Sequence, residues 1–181
     1  MSGVHYRKLE SDLSRPNTQR ILSVLQHPTI LRTLVLRPLN AISILRLREK
    51  ALSGIYDYED ASITVNSARK MGVHYGIEFR PGVTFHMSEA TRDLLESIRR
   101  TMLHETAHHL EFAPNASELI KLTFADPRRR PITRYAASSN WREYFAETFV
   151  AYFVEGETLA RHDPLGSMMV KAVLAAVGTK S

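Results

Sequence analysis

The chain contains no cysteine. That removes disulfides, thiolate-ligated metal and thiol nucleophiles together. No run of 18 or more apolar residues occurs, so no segment reads as a membrane-spanning helix. The stretch from Met1 to Asp12 is polar and charged and lacks the apolar core of a secretory signal. The expected location is therefore the cytoplasm, or a destination reached by delivery or release without a conventional signal peptide. No internal repeat or low-complexity tract stands out. What is present is ordinary for a globular protein: 44% hydrophobic and 24% charged residues over 181 positions, expected to form one domain with a sizeable core.

Charge is not concentrated either. The net charge is +5 with neutral histidines, and the densest basic run is Arg128-Arg129-Arg130, bounded by Pro127 and Pro131. Such a run can touch phosphates, but it is more often a solvated turn. No nucleic-acid-binding motif accompanies it, which disfavours a nucleic-acid partner.

Against this background His104-Glu105-Thr106-Ala107-His108 carries chemistry. On a helix the pattern His-Glu-x-x-His places both imidazoles on one face, one turn apart. Two neutral imidazoles at that spacing can share a tetrahedral Zn²⁺, and the intervening Glu105 can take a proton from the attacking water. With 8 His in the chain, one such match arises by composition roughly 2% of the time, so the flanks matter. From Thr101 to Leu110 the only other ionisable groups are histidines, as a buried metal helix requires. The competing reading is an amphipathic helix with a His-rich polar edge. His109 points elsewhere and reads as a surface residue or a support for a ligand.

Periodicity organises the rest. Asn17 to Gln26 has helical spacing and is expected to stop at Pro28. Asn40 to Lys50 fits a strand or a short helix; Ala and charged helix formers around it favour helix. Gly54 to Tyr58 reads as a turn entering a strand, and Ser62 to Asn66 alternates with period two. His74 to Phe79 and Gly82 to Met87 read as further strands around the turn Arg80-Pro81-Gly82. Ser88 can cap a helix that runs through Leu94, Leu95, Ile98, Met102 and Leu103 into the motif and ends near Phe112-Ala113-Pro114. A short helix over Ser117 to Phe124 follows. Asn140 can cap another from Trp141 to about Glu155, and Asp163-Pro164 starts a last one with Met168, Met169, Val173, Leu174 and Val177 expected in the core.

A catalytic zinc usually takes three protein ligands. The absence of cysteine excludes the arrangement of peptide deformylase, and Glu111 and Pro114 stand where the metzincin pattern needs Gly and His. Glu111 is too close on the same helix to close the coordination sphere, and Glu118 and Asp126 lie in the connecting region. Glu143 is the better candidate, with Glu147 one turn further on the same helical face. One carboxylate can bind the metal while the other orients a ligand His. Glu147 as ligand with Glu143 in support is the main alternative, and Glu143 as a mere capping residue with Asn140 is another.

The two segments, Leu103 to Leu110 and Tyr135 through Phe149, resemble the lethal-factor-like zinc metallopeptidases, the group around the catalytic domain of anthrax lethal factor, with relatives in bacterial toxins and phage-associated proteins. The resemblance is at the level of motifs and covers about residues 88–155. It implies an α+β, zincin-like fold, with a small mixed sheet packed on the metal helix and a helical part carrying the third ligand. Residues 1–50 would form a helical N-terminal part, 54–113 the sheet and metal helix, and 114–181 the helical remainder. It implies Zn²⁺ on His104, His108 and Glu143, Glu105 as general base, Glu147 as supporting carboxylate and Tyr135 as donor to the oxyanion of the transition state. The implied activity is hydrolysis of peptide bonds in a protein or peptide substrate, as an endopeptidase rather than an exopeptidase. An edge strand at Gly82 to Met87, with Val83 and Phe85 as substrate-binding residues, could receive an extended peptide by β-augmentation, with His86 reading as a surface residue. A scaffold that keeps metal only for stability, serving a phage or effector system as a binding module, is the rival reading; intact Glu105 argues against it.

Overall fold

The computed structural model describes residues 6–47, 53–68 and 94–178. Strands β1 (Tyr6–Ser11), β2 (Leu39–Leu45), β3 (Gly54–Asp57) and β4 (Ser62–Asn66) form one mixed sheet in the order β1-β2-β4-β3. β2 runs parallel to both β1 and β4, and β3 closes antiparallel on β4. Helices α1 (Arg15–Leu22) and α2 (Pro28–Leu36) lie between β1 and β2, joined by a single 3₁₀ turn at Ser23–Gln26. After the sheet come α3 (Leu94–Leu110), α4 (Ala116–Ala125), α5 (Arg134–Ser138), α6 (Trp141–His162) and α7 (Pro164–Gly178). The architecture is α+β.

Two expectations for the N-terminal third are corrected. Residues 39–45 form a strand, not a helix. Ile42 and Ile44 alternate with Ser43 and are fully buried. In register they pair with Leu9 and Ser11 on one side and Ile63 and Val65 on the other. Ladder bonds on both edges outweigh the weak helical preference of the surrounding residues. Among the described residues up to 47, strands β1 and β2 accompany α1 and α2. Pro28 does not merely stop a helix but opens α2 at its first position, where proline's missing N–H is harmless. The strands expected at His74–Phe79 and Gly82–Met87, the cap at Ser88, Val83, Phe85 and His86, and the side chain of Val177 lie outside the described residues.

α3 is the centre of the molecule. Ser97, Ile98 and every residue from Arg100 to Leu110 are buried, so this helix has no solvent face along its C-terminal three turns. It packs against β3 and β4, against α1 and against α6. α6 follows an N-cap at Asn140, whose side chain accepts from the backbone N–H groups of Arg142 and Glu143 at 2.9 and 3.2 Å. Helical dihedrals break at Glu155 (φ −145°, ψ 54°), close to the expected end, before the helix resumes to His162. Asp163 then fixes the α6–α7 corner. Its buried carboxylate accepts from the Tyr144 hydroxyl at 2.7 Å and from the Gly166 N–H at 3.1 Å. On α7, Met169, Val173 and Leu174 are in the core as expected, but Met168 is 65% exposed. Among the described residues, no helix is long and apolar enough to cross a membrane.

Candidate metal centre

The i, i+4 spacing on α3 brings the rings of His104 and His108 to a centroid separation of 5.0 Å. The first turn of α6 faces them. Glu143 uses its backbone N–H for the Asn140 cap but not its carboxylate, which points to the two imidazoles instead. Glu143 Oε2 lies 3.1 Å from His104 Nε2, and Oε1 lies 3.7 Å from His108 Nε2. One turn on, Glu147 Oε1 lies 3.1 Å from His104 Nδ1, the nitrogen opposite the one facing Glu143. The structure thus places Glu143 with the His pair and Glu147 behind His104.

These three side chains could hold a metal ion. One ligand atom from each of His104, His108 and Glu143 lies within 4.8 Å of the others. Metal–ligand bonds near 2.0–2.1 Å in a tetrahedron separate neighbouring ligand atoms by about 3.3 Å; the two imidazoles approach the Glu143 carboxylate on that scale, His104 at Oε2 (3.1 Å) and His108 at Oε1 (3.7 Å). Neither His104 Nδ1 nor His108 Nδ1 makes a well-aligned hydrogen bond, but only His104 has a carboxylate oxygen close behind its ring.

Burial and neighbours set the charges. Burial disfavours the charged form of His104, yet its hydrogen bonds to Glu143 and Glu147 outweigh this and carry its pKa up to about 10. Burial, with the positive charge of His104, brings His108 down to about 4. Glu143 is held below the usual carboxylate value: burial opposes its charge, but contacts with His104, His108 and the Tyr135 hydroxyl prevail. Glu105 is buried, and burial pushes it up to about 7 although the backbone N–H of Tyr56 donates to it. A carboxylate poised near neutrality is suited to take and return a proton.

Tyr135 sits on the short helix α5, capped by the Thr133 hydroxyl, which accepts from Ala136 N–H at 2.9 Å. It is 48% exposed, which excludes a packing role in the core, and its hydroxyl bonds the Glu143 carboxylate.

Of the two readings of His109, the surface one is corrected. His109 is fully buried, not a surface residue. Nδ1 accepts from the Tyr56 hydroxyl at 2.9 Å, and Nε2–H donates to the Arg37 carbonyl at 2.8 Å. It clamps α3 to β3 and to the end of α2. In the Arg128–Arg130 run the side chain of Arg129 lies on the protein, while Arg128 and Arg130 are exposed. Arg128 pairs with Asp126 at 2.7 Å, the Arg129 guanidinium lies 4.2 Å over the Phe124 ring, and the Arg130 N–H donates to Asp163 at 3.3 Å.

Four residues around the site have roles that the local sequence does not show. Gly54 on β3 is pressed against Glu105 and Thr101. Tyr58, Glu111 and Arg142 form a cluster where α3 ends and α6 begins, with Arg142 Nε 3.5 Å from Glu111 Oε1 and the guanidinium 5.0 Å over the Tyr58 ring. Only the position of Arg142 directly before Glu143 could have drawn notice.

Fold and site define an α+β protein with a His₂Glu group able to hold a metal ion. No family model, no curated protein and no solved structure matches the chain.

Proposed function

We propose that the chain is a zinc-dependent peptidase of zincin type with a glutamate third ligand, similar to the lethal-factor-like group. The observation that carries this reading is the convergence of His104, His108 and Glu143 within 4.8 Å, beside a buried Glu105 whose pKa lies near 7. Two imidazoles and one carboxylate are a donor set that suits Zn²⁺. Such an ion supplies Lewis acidity at a peptide carbonyl and lowers the pKa of water.

The protein's own groups do the rest. Glu105 takes a proton from the attacking water as the new C–O bond forms. It returns that proton to the nitrogen as the C–N bond breaks, so the products are a carboxylic acid and an amine. The contact of Tyr56 N–H with Glu105 and the packing of Gly54 against it hold the base in place. The half-exposed Tyr135 hydroxyl can donate to the oxygen that gains negative charge. Glu147 fixes His104 so that Nε2 remains directed at Glu143.

Two measurements test the reading. Protein purified without a histidine tag and dialysed should retain about one zinc per chain, and a His104→Ala/His108→Ala variant should not. Glu105→Gln should keep zinc and fold but lose hydrolysis, because an amide cannot accept the proton. Absence of stoichiometric metal in the wild type, or cleavage by Glu105→Gln at the wild-type rate, overturns it.

A further inference from the structure

Where α3 ends and α6 begins, rings and cations alternate across the surface. Lys121 Nζ lies 5.0 Å over the Trp141 ring. The Arg142 guanidinium is 5.1 Å from the same ring and 5.0 Å from Tyr58. Tyr58 stacks edge-on against Phe112 at 5.5 Å, and Arg37 lies 4.6 Å over Phe112. Beneath this ladder the Glu111 carboxylate faces Arg142 Nε at 3.5 Å.

The two partners of that ion pair differ in exposure. The Glu111 side chain is 1% exposed and the Arg142 side chain 41%. The carboxylate is sealed, whereas the guanidinium that faces it is presented to solvent. The guanidinium lies over the faces of both rings, its Nε faces Glu111 and one N–H bonds the Tyr58 hydroxyl; the remaining N–H groups of this partly exposed side chain can bond a carboxylate. The ring contacts and the ion pair with Glu111 also restrain the side chain in advance, which lowers the entropic cost of binding. Arg142 directly precedes Glu143, and Glu111 follows His108 by one helical turn, so the guanidinium stands at the rim of the metal centre.

We propose that Arg142 is a specificity-determining residue that binds a carboxylate of the substrate close to the scissile bond, so that the preferred substrates are acidic peptides. Glu111 is its positioning residue. The inference rests on the hydrolytic reading above.

The test uses the whole 181-residue chain, loaded with zinc, and a library of N-acetylated peptides carrying matched Glu and Gln at each position, with cleavage read by mass spectrometry. The wild type should cut Glu-containing peptides about 10–100-fold faster than their Gln partners at one position beside the cut, the range expected for a charge-assisted hydrogen bond. In Arg142→Gln that ratio should fall to near one. In Arg142→Lys, which keeps a charge for Glu111 but not the fork, it should be intermediate. Each ratio is internal to one variant, so partial loss of folded protein does not alter it, and Arg142→Lys serves if Arg142→Gln fails to fold. Making every peptide with a free or amidated C-terminus separates a side-chain carboxylate from a terminal one. Equal cleavage of all Glu and Gln pairs by the wild type, or a Glu preference that survives Arg142→Gln, overturns the inference and leaves the hydrolytic reading standing. Cleavage of no peptide by wild type that holds one zinc per chain overturns both.

Discussion

Replacing Gly54 by alanine puts a methyl group where β3 meets α3. An ideal Cβ there would lie 2.6 Å from Glu105 Oε1, 2.6 Å from Thr101 Cγ2 and 2.9 Å from Glu105 Cγ. Non-bonded carbon atoms settle at about 3.5–4.0 Å, so all three contacts are too short by roughly 1 Å. In open space a Gly→Ala change would stabilise by about 0.4–1 kcal/mol, because the unfolded chain loses freedom. Overpacking acts the other way, by about 1–3 kcal/mol, and the structure makes it the larger effect. Gly54→Ala should therefore destabilise, by about 1–2 kcal/mol net. Two of the three clashing atoms belong to Glu105, so in a Glu105→Ala background the cost should shrink measurably, within the 0.5–3 kcal/mol typical of coupled neighbours. Adding Thr101→Ser removes the third atom while keeping a hydroxyl to bond the Ser97 carbonyl, and Gly54→Ala should then become neutral or stabilising. Urea unfolding in excess chelator gives these values without a contribution from bound metal. A Gly54→Ala protein with a raised midpoint at unchanged slope, or the same cost in both backgrounds, would mean that β3 does not confine Glu105.

Three further outcomes are expected. Glu143→Ala should weaken zinc binding more than Glu147→Ala, whose loss of support for His104 should cost about 10–100-fold; chelator competition ranks them, and the reverse order would exchange their roles. Burial pushes Glu111 up to about 7 from an ordinary value of 4.5, so the folded protein binds more protons than the unfolded chain between those pH values. The sign follows: stability falls as pH rises through that window, and chelated Glu111→Gln should show a shallower fall between pH 5 and pH 8 than wild type; parallel curves would contradict the shift. Asp163→Ala strands the buried Tyr144 hydroxyl and the Gly166 and Arg130 N–H groups, which should cost about 2–4 kcal/mol. Asp163→Asn should cost less, and thermal or urea unfolding that finds the two equal would remove the corner from the stabilising contacts.

The legible parts of the molecule are those that short-range spacing dictates. His104 and His108 share a helical face whatever surrounds them, and so do Glu143 and Glu147. The Asn140 cap and the Asp163-Pro164 start are local events and appear where the sequence places them. What stayed hidden depends on contacts distant along the chain. β2 became a strand because β1 and β4 supply ladders on both sides, and nothing within residues 39–45 announces those partners. His109 is buried because Tyr56 and the Arg37 carbonyl, 53 and 72 positions away, satisfy its two nitrogens. Without them an imidazole beside a metal helix belongs at the surface. Glu111 was assessed only as a ligand from its own helix, and its actual partner is Arg142 on α6. Arg128–Arg130 read as a solvated turn, and Arg128 and Arg130 are exposed; what the sequence does not show is that Asp126, Phe124 and Asp163 engage the run.

The charge balance around α3 and α6 explains why this region suits a cation. Glu105, Glu111 and Glu147 are buried, and the Glu143 side chain is only 21% exposed. Arg142 faces Glu111, which leaves Glu105, Glu143 and Glu147 disposed around His104 and His108. Burying carboxylates without compensation is costly, and the usual responses are protonation or pairing with a cation. Both operate here: Glu105 shifts toward its neutral form, and His104 is driven toward its charged one. The proton on His104 lies between Glu143 and Glu147, on the ring whose Nε2 a metal would need. A divalent ion bound to His104, His108 and Glu143 would supply positive charge at the same place, with His104 neutral and Glu147 accepting from its Nδ1–H. Exchange of that proton for a dication would use side chains already gathered within 4.8 Å of one another. The same exchange would lower the pKa of the neighbouring Glu105 by adding positive charge nearby, bringing the base further into the form that can accept a proton.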